Sequence, residues 1–289
     1  QVVVLDADLA EATKTVIFKK KFPERFIDCG IAESNMIGVA AGLATCGKIP
    51  FATSFAMFSA GRAFEQVRNS VGYPHLNVKI VGSHAGISVG EDGATHQCLE
   101  DLALMRTIPG MVVLNPADHY EMQAAVKAAI EYNGPVYIRL GRLAVESFNN
   151  SDDYKFEIGK GVPLRDGKDI TVIANGLMVS RALEAVKSLE KDGIDARLIN
   201  LHTLKPIDRE LIVKAAKETG KIVTVEEHNV IGGLGDAVSS VLCEEYPAPV
   251  VKIGVNDQFG HSGPAVDLLE QYGLCASHIA EVTKKALKK

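Results

Sequence analysis

The chain has 289 residues, of which 47% are hydrophobic and 23% charged, with 26 glycines and no tryptophan. This length exceeds one ordinary hydrophobic core and the composition excludes a disordered chain, so a globular protein of two domains is expected. A formal net charge of −5 with both signs dispersed leaves no electrostatic footprint for nucleic acid, and the one basic run, Lys19-Lys20-Lys21, reads as a solvated helix end.

Short β-branched runs alternate with longer stretches of helical period, the pattern of βα units around a parallel sheet. In chain order, strands are predicted at residues 2–5, 25–29, 49–53, 78–82, 111–114 and 135–140, with helices near 32–46, 59–70 and 119–131. A polar stretch over 143–168, rich in Asn, Asp and Gly, reads as a linker. Beyond it the alternation resumes with strands at 170–174, 196–201, 222–226 and 250–254 and helices near 179–191, 209–218 and 234–243. The expected fold class is therefore α/β in two domains, 1–142 and 169–289, each a mostly parallel sheet flanked by helices. The five cysteines are widely spaced with no C-x-x-C pair, which suits a reducing cytoplasm. No apolar run reaches the roughly 18 residues that span a bilayer, so no membrane partner is expected. The sequence opens directly on a strand without a methionine, and an upstream piece is expected before Gln1.

In open α/β sheets ligands sit at the carboxyl ends of the strands, so polar residues just beyond strands are the candidates. Glu33 follows the second strand and opens a helix of small apolar residues. A first-turn carboxylate complements the helix dipole, while its apolar setting makes a merely solvated cap less natural. Phe55 and Phe58, just past the third strand, serve either as core packing or as a platform for a flat heterocycle. The loop from His84 to Gln97 gathers His84, His96, Glu91, Asp92 and three glycines, and is too long and too polar for a simple connector. His84, Asp92 and His96 lack H-E-x-x-H or comparable metal-ligand spacing, so no metal site is assigned.

Other motifs are decoys. Gly233-Leu234-Gly235 starts like a dinucleotide fingerprint but has Val238 where a small residue belongs. Ser83 has no G-x-S-x-G elbow, and His228, at a strand end, reads as structural.

Gly30-Ile31-Ala32-Glu33, then Thr53-Ser54-Phe55, then Gly82-Ser83-His84-Ala85-Gly86-Ile87-Ser88-Val89-Gly90-Glu91-Asp92-Gly93 together resemble transketolases. The likeness is to the C-terminal half, or to the separate C-terminal subunit of split forms. It extends through Leu204-Lys205-Pro206-Ile207-Asp208 and Thr224-Val225-Glu226-Glu227-His228 over essentially the whole chain.

The resemblance implies a thiamine-diphosphate enzyme of carbohydrate metabolism, such as the pentose phosphate pathway, with 1–142 as its pyrimidine-binding domain. A cofactor carbanion would transfer a two-carbon ketol unit from a ketose to an aldose. It implies catalytic roles for Glu33, which contacts N1′ of the aminopyrimidine, and for His96. It places Phe58, Phe55 and Asp8 around the cofactor, and His84, Asp92, His96 and Arg142 on a sugar phosphate substrate. The family's G-D-G motif, which holds Mg²⁺ and the diphosphate, is missing, so the resemblance implies an N-terminal partner carrying it, a hetero-oligomer inactive as this chain alone, and self-association into a dimer core.

Ala12 and Gly61 depart from a phosphate-binding serine and an aromatic found in some transketolases, and an upstream phosphate arginine falls before Gln1. The 1-deoxy-D-xylulose-5-phosphate synthase C-terminal region and the 2-oxo acid dehydrogenase E1 beta-type subunit are the enzymatic alternatives. His84 with Gly90-Glu91-Asp92-Gly93 favours transketolase over both. A non-catalytic regulatory or assembly subunit is the non-enzyme alternative.

Overall fold

The β-branched runs form strands because helices cover both faces of each sheet, which lets whole strands be apolar rather than alternating. The computed structural model describes residues 1–149 and 154–288. Its first half runs β1 (Val2–Asp6), α1 (Ala10–Thr13), α2 (Val16–Lys21), β2 (Phe26–Asp28), α3 (Glu33–Thr45), β3 (Ile49–Phe55), α4 (Phe64–Gln66), β4 (Lys79–Ser83), α5 (Asp101–Thr107), β5 (Val112–Leu114), α6 (His119–Glu131) and β6 (Val136–Arg139). The second half runs β7 (Val162–Arg165), β8 (Ile170–Ala174), α7 (Met178–Lys191), β9 (Ala196–Asn200), β10 (Thr203–Lys205), α8 (Arg209–Thr219), β11 (Ile222–Asn229), α9 (Leu234–Glu245), β12 (Val250–Val255), α10 (Ala265–Gln271) and α11 (Ala276–Lys288).

The result is an α/β fold with two mostly parallel sheets. One has seven strands in the order β10-β5-β6-β4-β3-β1-β2, the other five in the order β12-β11-β8-β9-β7. Each sheet has one antiparallel edge: β10 pairs with β5, and β7 with β9. Neither edge strand was expected. Residues 162–165 lie inside the predicted linker, but they pair as an edge strand with Pro163 where edge positions tolerate proline. Thr203–Lys205 leaves its own half of the chain to complete the first sheet. Part of the predicted linker, 150–153, lies outside the described residues.

The predicted helix at 59–70 spans Met57–Gly72 and holds wide, π-helical turns at Met57–Arg62 and Val67–Gly72 on either side of α4. A side chain at Gly61 would meet Met57 Cε at 2.1 Å, so glycine is what lets Met57 fold over this turn. Helix α3 buries Met36, Ile37, Ala40 and Ala41 against the sheet, and its small residues allow that close approach.

The two sheets are not separately cored. One apolar cluster joins Val3, Ile37 and Tyr137 of the first half to Ile173, Leu201 and Val238 of the second. A polar knot crosses the same seam: the buried Arg139 donates through Nε to Asp101 Oδ2 at 2.9 Å and through Nη2 to the Glu227 carbonyl at 2.7 Å. In the first sheet β4, β3, β1 and β2 are neighbours, so the loops after their carboxyl ends converge on one edge.

At the opposite end of β4, the ammonium of the fully buried Lys79 donates to the carbonyls of Tyr132 and Gly134, each at 2.8 Å. Burial pushes its pKa down from 10.5 to about 7. Between those values the folded chain holds fewer protons than the unfolded one, so Lys79 makes stability rise with pH across that window. Lys79→Met should flatten this rise, which urea unfolding from pH 7 to 10.5 would measure. Parallel pH profiles for the two proteins would mean that Lys79 titrates normally.

Candidate active site

The site forms because consecutive parallel strands deliver short polar loops to one edge. At the end of β1, Asp6 is buried and its carboxylate accepts from Leu9 N at 2.7 Å and from the hydroxyls of Thr13 and Thr15, each at 2.8 Å. Burial raises its pKa against the effect of those bonds. This brace turns the chain so sharply that Asp8 sits at φ 61°, a conformation costly for a non-glycine residue. The amide of Asp8 is tied to Asp28 Oδ1 at 3.2 Å.

After β2, Glu33 begins α3 and is 2% exposed. After β3, the wide turn presents Phe58 and, one turn later, Arg62. Nη1 of Arg62 donates to both Glu33 oxygens, at 3.1 Å to Oε1 and 2.9 Å to Oε2. Its guanidinium carbon lies 4.5 Å from the centre of the Phe58 ring.

The loop after β4 supplies two imidazoles. His84, held at φ 52°, stacks on Phe55 with ring centres 4.0 Å apart, and His96 meets the Phe58 ring edge-on at 5.2 Å. Two supports set this loop's path. Gln97 Nε2 donates to the carbonyls of Ile87, Gly90 and His261, the last at 3.0 Å. From beneath, Glu227 Oε1 accepts from Ser88 N at 2.6 Å. Gly86 adopts φ 87°, and a side chain there would lie 2.4 Å from the Glu227 carboxylate, so this position needs glycine twice over.

These segments enclose an open cavity of about 370 Å³, lined by Ala7, Asp8, Leu9, Ile31, Glu33, Phe58, Arg62, Thr95 and His96. The sequence candidates Asp8, Glu33, Phe58 and His96 thus share one wall, with Phe55 and His84 stacked behind it. Asp92 is exposed farther along the loop, and Arg142 stands apart, donating to the Val89 carbonyl and to Glu91 Oε2. Arg62 was missed. The available signal was a lone cation one turn after Phe58 in an otherwise apolar stretch.

The decoys resolve in physical terms. The amides of Leu234 and Gly235, at the start of α9, bind the buried Glu226 carboxylate at 2.7 and 2.8 Å, so an internal anion fills the place a phosphate would take. His228 is buried, with Nδ1 donating to the Asn229 carbonyl at 2.7 Å and Nε2 accepting from Ala103 N at 3.4 Å. Among the described residues no helix is long and apolar enough to cross a membrane.

A buried carboxylate beside an aromatic face, at the carboxyl edge of a parallel sheet, fits one flat nitrogen-bearing ring. Comparison with known proteins names that class. The transketolase pyrimidine binding domain matches residues 1–147, and the transketolase C-terminal domain matches 159–279. A solved split-gene transketolase, described as an inactive beta4 tetramer, is 58% identical with a TM-score of 0.92, over 99% of this chain and 92% of that one. The 6-deoxy-6-sulfo-D-fructose transketolase subunit SqwH of Clostridium sp. (strain MSTE9) is 45% identical over 99% of this chain and 89% of its own length. An apulose-4-phosphate transketolase subunit of Phocaeicola vulgatus is 42% identical over 94% of this chain and 87% of its own. This chain belongs to the transketolase family and corresponds to its C-terminal section. The family generally uses thiamine diphosphate and a divalent metal.

Burial lowers the pKa of His84, the positive charge of Arg142 lowers it further, and Asp92 acts in the opposite sense. Arg142→Ala should therefore raise the His84 titration midpoint and Asp92→Asn should depress it. NMR of the imidazole signals reads both. Shifts of the opposite sign would show that these charges do not face the ring.

Proposed function

We propose that this chain is the C-terminal component of a split transketolase. In this reading it supplies the aminopyrimidine side of a thiamine diphosphate site, and an N-terminal partner supplies the diphosphate and Mg²⁺ side. The observation that supports this most is the Glu33 carboxylate, buried in the wall of an open cavity beside Phe58 and His96. A buried carboxylate at the edge of an open cavity is suited to sharing a proton with a ring nitrogen.

When bound, thiamine diphosphate supplies the nucleophilic carbon that takes a two-carbon ketol unit from a ketose to an aldose. The work of this chain is binding and proton handling. Glu33 would hold a proton at N1′ of the pyrimidine, Phe58 would provide the stacking face with Phe55 supporting it from behind, and Asp8 would border the ring from the cavity's lining. His96, at the edge of Phe58 in the same cavity, would exchange protons with substrate oxygen. His84 and Asp92 bind sugar hydroxyls along the same loop.

Arg142 is assigned to the distal phosphate of a sugar phosphate, where an incoming anion replaces Glu91 as its partner. By name, one relative handles a sulfonated fructose and another apulose 4-phosphate, each with an anionic group. No G-D-G motif occurs in the sequence, which is why the metal and diphosphate are assigned to the partner and turnover to the complex. The inactive state of the 58% identical beta4 tetramer supports the same assignment. Self-association of this chain as the core of the complex follows the same pattern.

Glu33→Gln nearly preserves shape but cannot carry the proton. It should lower ketol transfer by the assembled enzyme by about 10²–10⁴-fold, the usual scale of general acid–base catalysis, with an unchanged circular dichroism spectrum. Turnover equal to wild type would remove Glu33 from the mechanism.

A further inference from the structure

The Arg62 guanidinium makes the two contacts expected of the incoming ring. It is flat and lies over Phe58, with 4.5 Å from its carbon to the ring centre. It also donates to Glu33, reaching Oε1 at 3.1 Å and Oε2 at 2.9 Å. Among the described residues these are the only hydrogen bonds to that carboxylate. A buried carboxylate without a donor is costly, so something must satisfy Glu33 whenever no ligand does. Arg62 can do so and still leave, because its side chain is 52% exposed whereas that of Glu33 is 2% exposed.

We propose that Arg62 is the resident occupant of the pyrimidine site, holding Glu33 and Phe58 in place in the cofactor-free chain and swinging into solvent when the aminopyrimidine seats. This rests on the thiamine reading given above. Two flat groups cannot lie on the same face of Phe58 while bonding the same buried carboxylate. Cofactor affinity is therefore reduced by the fraction of molecules in which Arg62 is in place. The ion pair and the cation–π contact favour that closed arrangement. Arg62 is thus a positioning residue that sets the concentration at which the cofactor displaces it.

The test compares wild type, Arg62→Met and Arg62→Gln, each assembled with the diphosphate-binding partner. Thiamine diphosphate with Mg²⁺ is titrated in a calorimeter, and thermal unfolding is recorded with and without cofactor. Arg62→Met should bind at least about fivefold tighter, since the competing closed state is gone. It should unfold at a lower temperature than wild type without cofactor but at the same temperature with it. Arg62→Gln, which keeps a hydrogen-bonding head without the charge, should fall between.

A merely structural role for Arg62 would lower both unfolding temperatures alike, and that result overturns the inference. Cofactor affinity unchanged or weakened in Arg62→Met also overturns it, leaving the thiamine reading intact. If no assembled protein binds thiamine diphosphate, wild type included, the thiamine reading itself fails and the inference falls with it.

Discussion

The site depends on a buried polar contact between the two halves of the chain. Arg139, 3% exposed at the end of β6, is neutralised by Asp101 and reaches across to the Glu227 carbonyl. The Glu227 side chain then continues into the first half and binds the amide of Ser88. A buried guanidinium is tolerated only with such partners, so this knot pins the second half to the first at a defined place. That place is directly beneath the loop that carries His84 and His96. The C-terminal half of the chain therefore bears on the candidate site indirectly: it supports the loop that carries His84 and His96.

Much of this was legible in the sequence. Continuous β-branched runs and helical periods announce two parallel sheets, and the rule that ligands gather beyond strand ends points to Glu33, Phe58 and the 84–97 loop. What stayed hidden depends on residues far apart in the chain. Glu227 looks like the end of a strand until its partner, 139 residues away, is seen beneath it. Strands β7 and β10 are short antiparallel edges, specified by their neighbours rather than by their own pattern. Arg62 has no motif; only the wide turn after β3 brings its guanidinium over Phe58.

Asp8, lining the cavity, and His84, stacked behind its wall, both hold positive φ angles, each fixed by its surroundings: Asp8 by the Asp6 and Asp28 carboxylates, His84 by stacking on Phe55. Strain held this way keeps side chains aimed before any ligand arrives, which lowers the ordering cost of binding. The wall so prepared is one-sided. In the proposed function Glu33, Phe58 and His96 address a ring, and the diphosphate side of the cofactor is assigned to a second protein.

That division of labour is open to one direct measurement. Thiamine diphosphate and Mg²⁺ are titrated calorimetrically into the purified chain alone, and then into the chain mixed with a partner that carries the G-D-G motif. The account predicts no tight binding by the chain alone and tight, Mg²⁺-dependent binding by the complex. Tight Mg²⁺-dependent binding by the chain alone would contradict it.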